Sequence, residues 1–68
     1  MVKIEFRIRP YAQVFLDGKD LGMTAFPPVS ISVGRHKIRM VNEGLKKDVE
    51  LDQQFHVGDT IFKYNFGD

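Results

Sequence analysis

Apolar and polar residues alternate along most of this 68-residue chain. The clearest case is the segment 2–9, VKIEFRIR, in which apolar residues occupy the even positions and charged residues the odd positions. This alternation predicts a β-strand with one buried face, because successive side chains of a strand point to opposite sides. Pro10 is expected to end the strand, since proline cannot donate a hydrogen bond to a ladder.

Six further segments show strand patterns. They span residues 12–17 (AQVFLD), 21–24 (LGMT), 29–33 (VSISV), 35–40 (RHKIRM), 45–52 (LKKDVELD) and 60–66 (TIFKYNF). Turn-forming residues separate most of them, and the two prolines of AFPPV predict a crossover in place of a hairpin. No segment has a helical period. We therefore predict an all-β fold, a small antiparallel β-sandwich of about seven short strands, with residues 1–68 forming a single domain.

The same alternation predicts which side chains face the core. The inward-facing sets are Val29, Ile31 and Val33; His36, Ile38 and Met40; and Leu45, Val49 and Leu51. In the last strand, Thr60, Phe62, Tyr64 and Phe66 share one face. Phe15 falls on the outward side of its strand, next to Gln13. Aromatic residues are therefore expected both in the core and on the surface.

Charge suggests how the segments 35–40 and 45–52 pair. A two-residue loop of Glu43 and Gly44 sets Ile38 opposite Val49 and His36 opposite Leu51. It also gives three outward pairs of opposite charge: Arg39–Asp48, Lys37–Glu50 and Arg35–Asp52. Such pairs are mildly stabilising. The alternative is a four-residue loop shifted by two positions, which pairs Lys37 with Asp48 and Arg35 with Glu50 but Arg39 with Lys46.

Composition narrows the function classes. The formal net charge is +1, which argues against a strong electrostatic partner such as duplex DNA. The chain has no cysteine, which excludes disulfides and thiolate metal sites. No apolar run approaches the ~20 residues of a membrane helix, and the N-terminal segment does not have the pattern of a signal peptide. If the domain is exported, a longer parent chain is expected to carry the signal.

The order of motifs resembles that of a PEGA domain over about residues 8 to 66. The stretches that carry the resemblance are PYAQVFLDG, DLGMT, PPVSISVGRHKIRMVNEG and KKDVELD. The matching residues are Pro10, Ala12, Val14, Leu16, Asp17, Gly18, Gly22, Thr24, Gly34, His36, Ile38 and Met40. The chain departs from the family in two loops. It reads PYA where the family has Pro-Glu-Gly-Ala, and Ala25 follows Thr24 where the family usually has proline.

The resemblance implies a small β-sandwich without catalytic activity, attached to a larger bacterial or archaeal protein. Such domains accompany surface-layer proteins and bacterial serine/threonine kinases. The expected role is a non-enzymatic accessory or interaction domain, which binds a protein partner, another domain of the parent chain or a cell-wall glycan. The resemblance implies no cofactor. The cellular location depends on the parent chain.

The polar residues do not form a recognisable catalytic or metal-binding constellation. His36 and His56 lack an identifiable set of further ligands, and a structural role is favoured for His36. Asp17 and Asp20 in DGKDLG are expected to form a turn, because a calcium loop requires further oxygen ligands. The hydroxyls of Thr24, Ser30, Ser32 and Thr60 have no histidine and acid at arguable triad positions. We predict no catalytic, metal or cofactor site.

Four residues form the predicted partner surface: Tyr11, Phe15, Arg7 and Arg9. An exposed Tyr11 and Phe15 would make an apolar patch of the kind that marks binding surfaces. We favour the alternative, that a neighbouring loop, AFPP, covers them. Basic residues near aromatic ones also suit single-stranded nucleic acid, but the acidic residues paired with them and the low net charge argue against that partner.

Self-association is the alternative function. The first and last strands, 2–9 and 60–66, are long for so small a domain. If either lies at a sheet edge, its unpaired backbone groups could pair with a second copy and give a weak homo-oligomer.

Overall fold

The computed structural model describes residues 1–67, which form seven β-strands and no helix. The strands are β1 (Val2–Arg9), β2 (Gln13–Leu16), β3 (Lys19–Met23), β4 (Val29–Ile31), β5 (Gly34–Asn42), β6 (Lys47–Phe55) and β7 (Ile61–Asn65). One sheet has three strands in the order β4-β1-β7, and the other has four in the order β3-β2-β5-β6. The predicted all-β, sandwich-like fold is confirmed. Within the described range, no helix could cross a membrane.

The first and last strands are neighbours. β7 pairs with residues 5–9 of β1 in parallel, from Glu5 opposite Ile61 to Arg9 opposite Asn65. The other four strand pairings are antiparallel. A parallel pair requires a long connection between its strands. Here the connection from β1 to β7 contains the whole of the other sheet.

The core lies between the two sheets. In β1 the even residues Ile4, Phe6 and Ile8 are buried, as the alternation predicts. They pack with buried residues of the other strands and loops: Ala12, Val14, Ile31, Ile38, Met40, Phe55, Phe62 and Phe66. Val33 and Leu45 were predicted to face inward, which is wrong, since they are 46% and 44% exposed. Both lie outside strands, where alternation no longer decides which way a side chain points.

The β2–β3 hairpin follows from its turn residues. Leu16 pairs with Lys19, so Asp17 and Gly18 form a two-residue loop. Both adopt positive φ, 50° and 85°, as a type I′ turn requires. Aspartate and glycine are among the residues that tolerate this conformation best.

The β5–β6 hairpin has neither of the predicted registers. Ile38 lies opposite Leu51 and Met40 opposite Val49, so the strands are shifted by two residues from the favoured pairing. The loop is the four residues 43–46, in which Lys46 adopts a positive φ of 54°. The Lys46 N–H donates to the Glu43 carbonyl at 3.1 Å, which closes the loop.

Asn42 anchors the same loop and is fully buried. Its side-chain amide donates to the carbonyl of Tyr11 at 2.9 Å, and its Oδ1 accepts from the N–H of Leu45 at 2.9 Å. A buried amide side chain is retained at low cost only when its donors and acceptors are paired. Asn42 therefore fixes where β5 ends and ties the loop to the chain that enters β2.

Candidate binding surface

Arg7, Arg9 and Lys63 form a basic cluster on the outer face of the three-stranded sheet. The parallel register sets Arg7 directly beside Lys63, and Arg9 beside Asn65. All three basic side chains belong to exposed residues. They line a shallow depression of about 480 Å³ together with Tyr64 and Asn65. The cluster therefore combines like charges with a concave surface.

One acidic residue offsets part of this charge. Glu5 accepts a hydrogen bond from Nε of Arg7 at 2.7 Å, and both side chains are about half exposed. Within residues 1–67, Arg9 and Lys63 form no salt bridge. Like charges directly opposite each other destabilise a sheet, and an anionic ligand relieves their repulsion. Arg9 and Lys63 are consequently the cations best placed to receive one.

Two further depressions adjoin the cluster at Arg9. One, of about 650 Å³, is lined by Arg9, Pro10, Leu45, Asn65 and Gly67. The other, of about 420 Å³, lies along residues 5–10 and is closed by Thr24, Ala25, Phe26 and Pro28; it is called the β1 groove below. Much of the concave surface of the described chain is thus gathered around the C-terminal half of β1.

The structure separates the four residues of the predicted partner surface. Arg7 and Arg9 lie together on the three-stranded sheet, whereas Phe15 belongs to the four-stranded sheet. Phe15 is half-buried, and the guanidinium of Arg39 lies 5.6 Å from its ring centroid. Such a cation–π contact covers the ring face. The AFPP loop instead points Phe26 at Phe6, with ring centroids 5.6 Å apart.

Tyr11 lies at one end of the sandwich. It is 38% exposed, and its hydroxyl is close to Gly44 in the β5–β6 loop. Its backbone carbonyl is held by Asn42. Tyr11 and Phe15 therefore do not form a continuous apolar patch.

Sequence reasoning missed Lys63 and the acidic partner of His36. Lys63 lies beside Arg7 because β1 and β7 pair in parallel. No local sequence pattern predicts that pairing. The pairing of His36 with Asp17 had a signal in the sequence, because the two residues belong to neighbouring strands of one sheet or to their ends, β5 and β2. Asp17 directly follows the end of β2, and His36 lies near the beginning of its antiparallel neighbour.

His36 lies between Asp17 and Ser32. Its Nδ1 is 2.5 Å from Oδ2 of Asp17, and its Nε2 is 2.7 Å from the carbonyl oxygen of Ser32. The hydroxyl of Ser32 is also close, at 3.1 Å from Nε2. The imidazole packs against the ring of Phe55, and its side chain is only 13% exposed. The contacts place a serine, a histidine and an aspartate side by side.

Hydrogen bonding decides what this arrangement can do. The hydrogen bond to Asp17 raises the pKa of His36 above its ordinary value, and the same contact lowers the pKa of Asp17. A carbonyl oxygen can only accept, so Nε2 must carry a proton to bind Ser32. A histidine that donates from both nitrogens is an imidazolium and cannot take a proton from a hydroxyl. The geometry favours a structural ion pair over a catalytic triad.

The remaining residues of the PEGA resemblance lie at turns and close contacts. Ala12 and Thr24 bind each other twice: the N–H of Ala12 donates to Oγ1 of Thr24 at 3.0 Å, and the N–H of Thr24 donates to the carbonyl of Ala12 at 2.9 Å. Pro10 follows β1, Gly22 lies in β3, and Gly34 begins β5. These positions shape loops and hairpins.

Residues 1–67 contain no group of three or more histidine, cysteine, aspartate or glutamate side chains that could hold a metal ion. Comparisons with family models, with curated proteins and with solved structures found no match to this chain. The resemblance to PEGA domains therefore stays a prediction from the sequence.

Proposed function

We propose that this chain is a non-enzymatic binding domain of a larger protein, and that its basic cluster receives an acidic segment of a protein partner. The observation that carries the proposal is a pair of cations that form no salt bridge within residues 1–67, Arg9 and Lys63, beside a concave surface. Opposite charges across such a surface speed encounter and set the orientation of a partner. On the other sheet, Lys37 and Arg39 lie opposite Asp52 and Glu50, which offset their charge.

The resemblance to PEGA domains supports an accessory role in a bacterial or archaeal parent chain. It is consistent with attachment to a serine/threonine kinase or a surface-layer protein, where a small domain supplies binding and the parent supplies the activity. The imidazolium state favoured for His36 supports the non-enzymatic part of the proposal, because no other histidine adjoins a hydroxyl and an acid within residues 1–67. A cell-wall glycan would need no acidic group and is a weaker fit.

The test uses a capped hexapeptide of alternating glutamate and valine as probe. We expect it to bind the wild-type domain and to lose about tenfold in affinity when Arg7, Arg9 and Lys63 are all replaced by glutamine. Raising the salt concentration should weaken the wild-type complex in the same way, since exposed ion pairs are screened. Isothermal titration calorimetry measures both effects.

The control replaces three basic residues of the four-stranded sheet: Lys19, Arg35 and Lys37 to glutamine. Each triple variant lowers the formal net charge from +1 by three, to −2. If the two triple variants lose the same affinity, the peptide responds to net charge alone and the proposed site is wrong. The absence of any binding to the wild-type domain would also count against the proposal.

Self-association through a sheet edge is the second candidate. β7 and the nine-residue β6 are outermost strands of their sheets, which favours this candidate. Acidic side chains along β6 oppose it, because charge on an edge strand is a common protection against pairing. Sedimentation equilibrium over a wide concentration range decides: a dimer or polymer that grows with concentration supports self-association, and a constant monomer mass excludes it.

A further inference from the structure

Neither side of β1 is paired along the whole strand. On one side β7 covers residues 5–9, and on the other β4 covers only residues 2–4, ending with Val29 opposite Ile4. The N–H of Glu5 donates to Thr60 at 3.0 Å, and the carbonyl of Arg9 accepts from Phe66 at 3.0 Å. The peptide groups of the odd residues therefore point toward β7.

The even residues of the strand must point the other way. In an extended strand the N–H and C=O groups of successive residues face opposite edges. The peptide groups of Phe6 and Ile8 consequently point to the β4 side of β1, beyond the residues that β4 pairs with. Within residues 1–67, no backbone partner reaches those groups. Both residues are buried, at 3% and 5% exposure, and unpaired backbone groups are costly in such surroundings.

The chain that precedes β4 explains why the ladder stops. It contains Pro27 and Pro28, which have no N–H to donate. The ring of Phe26 packs on the ring of Phe6 and holds the segment in place. The β1 groove of about 420 Å³ lies between this segment and residues 5–10. One side of the groove carries the unpaired peptide groups of β1. The other side is the proline-containing segment, which cannot pair with β1 as a strand.

We propose that the β1 groove takes an extended segment of the acidic partner, which adds a strand to β1 by hydrogen bonding to the peptide groups of Phe6 and Ile8. This inference rests on the proposed function and specifies how the partner docks. An extended chain rises about 3.3 Å per residue, so about four residues of the partner cover the free edge. Strand addition supplies affinity through main-chain hydrogen bonds and selectivity through alternate side chains.

Side-chain alternation fixes the pattern of the ligand. On the docked strand, every second side chain shares the outer face with Arg7 and Arg9, where carboxylates are favoured. The intervening side chains point toward the apolar side of the sheet, near Phe26. An acidic–apolar alternation therefore satisfies both faces. A peptide with the opposite charge pattern would set cations against the basic cluster.

Amide hydrogen exchange measured by NMR tests the inference with an internal control. In the free domain the amides of Phe6 and Ile8 should exchange at least tenfold faster than those of Arg7 and Arg9, which are bonded to β7. Binding of the glutamate–valine hexapeptide should slow the exchange of the Phe6 and Ile8 amides tenfold or more. The exchange rates of the Arg7 and Arg9 amides should not change. Equal protection of all four amides in the free domain would overturn the inference.

Two N-methylated versions of the hexapeptide complete the test. One carries methyl groups on the amides of odd positions, the other on those of even positions, so both keep every side chain and charge. We expect one of the two methylated peptides to bind at least tenfold more weakly, because its methyl groups block the edge that faces β1. The other should bind like the unmethylated peptide. If both methylated peptides bind like the unmethylated one, strand addition is overturned and the basic cluster alone holds the peptide. If the unmethylated peptide does not bind at all, the proposed function fails and this inference fails with it.

Discussion

The carboxylate of Asp17 and the imidazole of His36 meet at 2.5 Å, although they are 19 residues apart in the sequence. The contact joins the turn between β2 and β3 to the first residues of β5. Asp17 also accepts the N–H of Lys37 through its other oxygen, at 2.9 Å. One carboxylate thus holds both the side chain and the backbone of the neighbouring strand.

Stability should depend on pH through this pair. The pKa of His36 is raised above 6.5, so its stabilising effect is complete below that pH and is lost as the pH rises through the folded-state value. The pKa of Asp17 is lowered from 3.8, so its contribution is present above that pH and is lost as the pH falls through its folded-state value. We expect the free energy of unfolding, measured in urea, to be greater at pH 5.5 than at pH 8.5 or pH 2.5.

His36→Gln should flatten the alkaline side of that profile. His56→Gln is the matched control, because His56 is 70% exposed in its side chain and lies 3.7 Å from Asp59. The control should keep the difference between pH 5.5 and pH 8.5. A wild-type profile that is level over this interval would contradict the assignment of His36 as an imidazolium.

Substitutions at Asp17 should separate its charge from its backbone role. Asp17→Asn keeps an acceptor for the N–H of Lys37 and tolerates the positive φ of 50°, but loses the ion pair. Asp17→Ala loses the acceptor as well and is strained at that φ. The expected order of melting temperature is wild type, then asparagine, then alanine. The order is read by circular dichroism, with Asp52→Asn as control; an alanine variant as stable as the asparagine variant would refute the backbone role.

Truncation at Ile38 should measure the core between the sheets. Ile38 is fully buried, so Ile38→Val is expected to cost about 0.5–1.5 kcal/mol and Ile38→Ala about 2–5 kcal/mol. A domain of this size has a total stability of roughly 5 kcal/mol, so a loss at the upper end of that range would leave the alanine variant largely unfolded. Ile61→Val, at a position 37% exposed, should cost less than about 0.5 kcal/mol. Equal losses at both positions would be inconsistent with the described core.

Asn42→Ala should be among the most damaging polar substitutions. It removes the partners of the Tyr11 carbonyl and the Leu45 N–H, and each group left unpaired costs about 1–3 kcal/mol. We expect a loss of about 2–4 kcal/mol in chemical denaturation. Asn65→Ala removes an exposed amide and should cost much less. A small effect at Asn42 would mean that water replaces its hydrogen bonds.

Local pattern predicted the strands well, because burial on one face leaves a strong record in the sequence. Ile4, Phe6 and Ile8 alternate with charged residues, and the turn at Asp17–Gly18 needs residues that tolerate positive φ. These features depend only on neighbours in the chain. They therefore carry over directly from sequence to structure.

The β5–β6 register could not be read from charge, for a physical reason. The basic residues of β5 and the acidic residues of β6 both recur at every second position, so a shift by two positions still gives two direct pairs of opposite charge, Lys37–Asp52 and Arg39–Glu50. In the observed register Arg39 lies opposite Glu50. Its guanidinium also donates two hydrogen bonds, of 3.0 and 2.6 Å, to the diagonal neighbour Asp48. The observed register has one direct pair of opposite charge fewer than the predicted one, and the buried amide of Asn42 and the loop conformation at Lys46 favour it.

The candidate site was predicted only in part. Arg7 and Arg9 follow from the alternation of β1, but their union with Lys63 depends on the parallel pairing of strands at opposite ends of the sequence. The free peptide groups of Phe6 and Ile8 likewise depend on where β4 stops. Both are consequences of topology, which local periodicity does not encode.

The parallel pairing of β1 and β7 has a mechanical consequence. The chain enters β1 at Val2, at one end of the sheet, and leaves β7 at Asn65, beside Arg9 at the other end. Tension on the two termini therefore pulls the strands past each other lengthwise, and the bonds between residues 5–9 and 61–65 share the load at once. An antiparallel pair pulled from one end would instead open one bond at a time. Separating β1 from β7 by pulling on the two ends therefore requires the bonds of the whole ladder to break together.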